Sequence, residues 1–257
     1  MVGNNVMLIT GAGQGLGEGI SLGAAQSGYD LVLVDINKEK LSSVSEKCRQ
    51  FDVNVYERCL DITNNFEVRE TIKEVIEQIE KIDVLVNNAG IMQTKSILDI
   101  TEDDWEKVMS VNLKAVFFLS QIIGRSMMER KKGSIINIAS VAAKASRPMA
   151  IHYGVSKSGI ISLTRSMAEF FGRYGIRVNA VSPGAMETEL LVNIGKERSK
   201  LLGVTEEEAL NEYIGPIPMN RLGKPNDVAQ MVLFLASENA SYITGQSINV
   251  CGGWQMV

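Results

Sequence analysis

Short apolar runs alternate with longer amphipathic stretches along nearly the whole chain. Val6–Thr10, Leu31–Asp35, Asn54–Arg58, Val84–Asn87, Ser134–Ile138, Arg177–Val181 and Ser247–Val250 read as strands. Several are almost continuous in Val, Ile and Leu, the pattern of strands buried on both faces. Between them lie helical periods. Asn64–Lys81 carries Phe66, Val68, Ile72, Val75, Ile76 and Ile79 on one stripe. Thr101, followed by three acidic residues, supplies an N-cap and a first turn matched to the helix dipole. Repeated strand–helix units predict an α/β fold with a parallel sheet and helices on both faces. No Pro/Gly/Ser-rich linker divides the chain, so residues 1–257 are expected to form one doubly wound domain. Residues 185–225 break the alternation and are rich in Gly and Pro. That segment is either a surface insertion or a substrate lid over a site at the strand ends.

Composition narrows the function. The apolar fraction of 45% permits a sizeable core, and the net charge of -4, with no basic tract, speaks against nucleic acid as a partner. Cys48, Cys59 and Cys251 are odd in number and widely spaced, as expected for reduced thiols rather than a disulfide framework or a zinc ribbon. The single histidine, His152, makes a His-rich zinc site improbable, and no metal is expected. The N-terminus lacks the marks of a signal peptide, and no stretch approaches the ~20 apolar residues that span a bilayer. A cytoplasmic protein without a membrane partner is expected.

Two features carry chemistry. Gly11, Gly15 and Gly17 follow the first apolar strand and open a helix, where small residues and free amides can receive a pyrophosphate. The second strand ends at Asp35, whose carboxylate can accept both hydroxyls of an adenosine ribose and would repel a 2′-phosphate. NAD is therefore expected over NADP; Asp35 can also serve the helix that begins near Asn37. The second feature is Tyr153 and Lys157, four apart in HYGVSKSG and so one turn apart on one helix face. A nearby ammonium stabilises a phenolate and makes the pair a proton-transfer unit. A half-buried Tyr beside a solvated Lys is the plainer alternative. His152 points elsewhere and is read as a packing or surface residue.

These residues resemble the short-chain dehydrogenase/reductase family. TGAGQGLG at Thr10–Gly17, NNAG at Asn87–Gly90, Asn112 in SVNL, Ser140 in NIASV, YGVSK and PGAMET at Pro183–Thr188 stand in the family's order over nearly the whole chain. The resemblance implies a seven-stranded Rossmann-type sheet and a homotetramer. It implies a catalytic set of Asn112, Ser140, Tyr153 and Lys157. It extends the cofactor-binding set to Gln14, Leu16, Ile36, Asp61, Ile62, Asn88, Ala89, Gly90, Pro183, Gly184, Met186 and Thr188. In that set Tyr153 moves the proton, while Lys157 tunes it and holds the nicotinamide ribose. Ser140 binds the reacting oxygen or caps the fifth strand. Asn112 braces a relay water or bonds backbone within its helix.

The substrate is expected to be a small alcohol or ketone. Residues near Met92 and Gln93, Val141–Ala143, Arg147–Met149 and the segment after Gly184 should form its pocket; Gln93, Arg147 and Glu187 can bind hydroxyls or face solvent. The C-terminal stretch TGQSINVCGGWQMV looks like sorbitol-type polyol dehydrogenases, and NNAGIMQTKSIL like acetoin and butanediol dehydrogenases. An NAD-dependent dehydrogenase of a polyol or vicinal diol is the leading expectation. A 3-oxoacyl-carrier-protein reductase comes second, followed by a hydroxysteroid dehydrogenase and a catalytically silent NAD-sensing protein.

Overall fold

A computed structural model describes residues 4–215 and 217–256. Pro216, inside the expected lid, and Val257 lie outside the described residues. Seven strands form one parallel sheet: β1 (Val6–Thr10), β2 (Asp30–Asp35), β3 (Val55–Cys59), β4 (Val84–Asn87), β5 (Gly133–Ile138), β6 (Ile176–Pro183) and β7 (Ser247–Val250). Their order is β3-β2-β1-β4-β5-β6-β7. The reversal between β1 and β4 opens a crevice at the strand ends, where this architecture binds ligands.

Alternation along each strand builds two apolar layers. Met7, Ile9, Leu31 and Leu33 face α1 (Gly15–Gln26), α2 (Lys38–Cys48) and α9 (Pro225–Ala236). Val6, Leu8, Val32 and Leu85 face α3 (Asn65–Ile79), α5 (Ala115–Arg130) and α6 (Ile151–Gly172). Fully burying one such side chain contributes about 1.5–3 kcal/mol. A slip by one residue would put every side chain on the wrong layer, so the register is tightly specified.

The expected elements recur with small shifts. The third strand starts one residue late; the Asn54 amide donates to the Asp30 carboxylate at 3.0 Å while its carbonyl accepts the Leu31 amide at 2.8 Å. α3 is capped by Asn64, whose side chain accepts the Glu67 amide. Phe66 belongs to its apolar period by spacing, yet it is 76% exposed. The Thr101 cap is present as a full capping box with Asp104 at the start of α4 (Glu102–Met109).

Two segments add detail to the expectations. The 185–225 segment is largely helical: α7 (Glu189–Leu202) and α8 (Glu206–Ile214) form a hairpin, with Gly203 in the left-handed conformation ending the first helix. A Thr205–Glu208 capping box starts the second, and Gly195 lets Leu210 pack close. The span from Glu102 to Arg130 is also longer and more apolar than the sequence reading allowed. It runs 29 residues as a helix, and an 18-residue window within it has a mean hydropathy of 1.2, enough to cross a bilayer by length and composition alone. Here Val116, Leu119, Ile123 and Met127 are spent on the core.

Candidate active site

Between the glycine turn and α7 runs a cleft of about 770 Å³. Gly11, Gln14, Gly15, Leu16, Asp35, Ile36, Asp61, Ile62, Asn88, Ala89, Gly90, Pro183, Gly184, Met186 and Thr188 all line it, together with Ser140, Tyr153 and Lys157. Two expected residues stand behind the wall. Gly17 packs against the turn: a Cβ there would lie 1.9 Å from the Gly11 carbonyl oxygen. Its role is close approach of helix and strand. Asn112 is fully buried in a π-helical turn, Ser110–Lys114, joining α4 to α5.

The cleft fits a dinucleotide at its glycine end. Gly11 and Gly15 have φ of +62° and +58°, which glycine adopts without strain. Gln14, at the cap of α1, makes no side-chain bond to the helix, leaving the first-turn amides for an anion. Asn88 donates to the Thr10 and Gly11 carbonyls at 2.9 and 3.0 Å, and the Asn88 and Ala89 amides both donate to Thr10 Oγ1 at 3.1 Å. The Asn88 side chain thus clamps the glycine turn. Asp35 accepts the Gly13 amide at 2.8 Å and the Asn37 amide at 2.9 Å. The cap of α2 is Asn37 itself, so Asp35 braces the cap rather than supplying it. A Cβ on Gly13 would sit 3.0 Å from the Asp35 carboxylate, which explains glycine there. Lys40 bonds Gln14 and, at 2.9 Å, Glu189, tying the glycine turn to α7. Asp61 holds the Thr63 amide and hydroxyl at 2.9 and 2.8 Å.

The catalytic end is buried. Tyr153 and Lys157 are 9% and 4% exposed, one turn apart on α6. Burial pushes the Tyr153 phenol up to about 12; its hydrogen bond with Ser140 and the Arg147 charge oppose that rise. Lys157 Nζ donates to the Ile138 carbonyl at 2.7 Å and lies 5.8 Å from the Tyr153 ring centroid. Desolvation brings its own pKa down to about 8. Ser140 also accepts the Ala142 amide at 3.1 Å, capping a short 3₁₀ turn at Val141–Ala143 just beyond β5. Asn112 spans Ile91, accepting its amide at 2.8 Å and donating to its carbonyl at 2.9 Å, and donates to Ser156 at 3.1 Å. Its bonds cross to the loop after β4 rather than staying in its helix. A Cβ on Gly90 would fall 3.3 Å from Asn112 Oδ1 and 3.4 Å from Lys157 Nζ, so both polar atoms lie close against Gly90.

Of the expected substrate residues, Met92 lines the cleft and a neighbouring cavity, and Arg147–Met149 line that cavity. Gln93 bonds His152 at 3.2 Å. His152 is wholly buried, and desolvation lowers its pKa. Val141 and Ala142 are core residues, and Glu187 is exposed. Tyr213, Arg198 and Trp254 also gather here. The sequence named none of the three individually, because nothing in local pattern links α7, α8 and the C-terminal turn to Arg147.

Known proteins agree with this geometry. A family described as enoyl-(acyl carrier protein) reductase matches residues 11–255. The 3-oxoacyl-acyl-carrier-protein reductase FabG of Thermotoga maritima is 39% identical over 248 residues, 96% of each chain. That of Chlamydia pneumoniae is 34% identical over 98% of this chain and 97% of its own. Among solved structures, an NAD+-bound xylitol dehydrogenase superposes with a TM-score of 0.92 at 31% identity, covering 98% of this chain and 100% of its own. An actinorhodin polyketide ketoreductase with NADPH gives 0.93 at 32%, covering 98% and 97%. The chain belongs to the short-chain dehydrogenase/reductase family, oxidoreductases that work with a nicotinamide cofactor.

Proposed function

We propose that this protein interconverts a secondary alcohol and a ketone with Tyr153 as the proton donor and acceptor. The observation that carries the reading is the buried Tyr153, hydrogen-bonded to Ser140 and one turn from Lys157 on a cleft that also holds the glycine turn. A bound nicotinamide supplies or takes the hydride. Tyr153, neutral near neutral pH, gives its proton to the carbonyl oxygen in reduction and recovers it in oxidation. Ser140 stabilises the charge developing on that oxygen. Lys157 holds the nicotinamide ribose, and Asn112 braces a water that resupplies protons through Lys157.

NAD(H) is the proposed cofactor, supported by Asp35 at the end of β2. Relatives fall on both sides of this choice, since the two solved structures carry NAD+ and NADPH. For the substrate, the FabG relatives favour a 3-oxoacyl reductase more than the polyol dehydrogenase placed first from sequence. The xylitol dehydrogenase keeps the polyol reading in play. The chain is read as one catalytic unit, a cytoplasmic homotetramer. The test is NADH absorbance with polyols, diols, 3-oxoacyl thioesters and hydroxysteroids. Tyr153→Phe should retain NADH binding and lose turnover by at least ~100-fold; near-normal kcat in that variant sinks the mechanism.

A further inference from the structure

A second cavity, of about 210 Å³, lies beside the cleft and shares Met92 and Tyr213 with it. The reaction described above leaves it without a role. Two guanidinium groups flank the Tyr213 ring, Arg147 at 5.4 Å and Arg198 at 5.3 Å from its centroid. Arg147 also stands 4.7 Å from the centroid of Trp254. The two arginines differ in their partners. Arg198 meets the Glu212 carboxylate at 3.2 Å and donates through Nε to the Ala209 carbonyl. Arg147 meets no carboxylate among the described residues, and its Nε is buried without a hydrogen-bond partner. The nearby Glu197 is engaged with the Thr94 amide at 2.8 Å.

An unpaired guanidinium donor buried in a cavity wall is costly unless something fills the place of its acceptor. Stacking on two aromatic rings holds the group in position but satisfies none of its N–H bonds. The fork of a guanidinium matches carboxylate and phosphate oxygens. The cavity is smaller than the ~300–1,000 Å³ usual for a whole ligand, which suits the end group of a substrate whose reacting carbon sits at Tyr153. Met92 and Tyr213, which line both spaces, set the cavity against the cleft that holds Tyr153.

We infer that Arg147 is an anion-binding subsite and that the substrate is a small alcohol or ketone bearing a carboxylate or phosphate. This rests on the alcohol–ketone reading of Tyr153 and selects within it. The polyol reading becomes a polyol phosphate, and the 3-oxoacyl reading becomes a free 3-oxo acid rather than a carrier thioester. A purely structural Arg147 would pin α8 and the C-terminal turn through its stacks, with no preference among ligands.

Calorimetry on NADH-loaded Tyr153→Phe protein separates these roles without turnover. The probes are inorganic phosphate, a short 3-hydroxy acid, a polyol phosphate and the neutral polyol. Anionic probes should bind, the neutral polyol should not, and Arg147→Met should weaken anion binding by ~10- to 100-fold. Arg147→Lys, which keeps the charge and most of the volume, should recover part of it and carries the test if Arg147→Met fails to fold. The hydroxy acid and polyol phosphate arms tell carboxylate from phosphate. Equal binding of neutral and anionic probes, or anion binding indifferent to Arg147, overturns the subsite. Arg147-dependent anion binding in a wild-type protein that oxidises or reduces none of these compounds would sustain the subsite and refute the alcohol–ketone reading. Turnover with no preference for anionic substrates would do the reverse.

Discussion

Lys157 should make the ligand-free protein less stable than it would be with an apolar residue there. Its ammonium is buried, meets only the Ile138 carbonyl, and titrates at about 8 against an ordinary value of 10.5. Each unit corresponds to about 1.4 kcal/mol, so the charged form costs about 3 kcal/mol in the folded state. The folded pKa is lowered, so the unfolded chain binds more protons between about pH 8 and 10.5. The cost is full below the folded value and fades as pH rises to the unfolded one. Replacing Lys157 by Met removes it and gives up one hydrogen bond worth about 1 kcal/mol. Lys157→Met should therefore be more stable than wild type by about 2 kcal/mol near pH 7, and the gain should vanish near pH 10. Urea unfolding of both ligand-free proteins at equal concentration, followed by circular dichroism at the two pH values, measures the difference. A gap independent of pH, or a variant less stable than wild type near pH 7, refutes the reasoning. The same variant should lose turnover, so stability and function oppose each other at this residue.

Three further outcomes follow from the cleft. Asp35→Ala should weaken NADH binding by ~10- to 100-fold while weakening NADPH binding less, since charge-assisted bonds are lost to one and repulsion is relieved for the other; an unchanged ratio of the two dissociation constants excludes Asp35 as the selector. Gly17→Ala must displace the Gly11 carbonyl, so the melting temperature should fall by an amount worth about 1–3 kcal/mol and NADH binding should weaken; a wild-type melting curve would count against the packing role. Gly90→Ala has no backbone penalty but presses on Asn112 and Lys157, so kcat should drop by about tenfold or more, well beyond the small loss of stability. Unaltered kcat would remove the water from the proton path.

The strands and their layers were legible in the sequence because a two-sided parallel sheet imposes continuous apolar runs that no other element needs. The cofactor end was legible for a related reason. A turn that meets a pyrophosphate closely requires glycine at fixed offsets, and a strand end requires its carboxylate one position from the crevice. The spacing of Tyr153 and Lys157 on one face was likewise set by helix geometry alone.

What the chain order could not determine was what surrounds those groups. The pKa values at the catalytic end come from desolvation by β5 and α6 and from the direction in which Lys157 turns, and both exist only after packing. Asn112 does its bonding across to Ile91, a contact between residues 21 apart. Arg147, Arg198, Tyr213 and Trp254 come from separate elements, and no local period links them. Local sequence determined the glycine turn, the Asp35 strand end and the one-turn spacing of Tyr153 and Lys157, because backbone geometry near each one is short-range. Tertiary structure decided how those residues are charged and what stands beside them, because burial and electrostatics are summed over the whole fold.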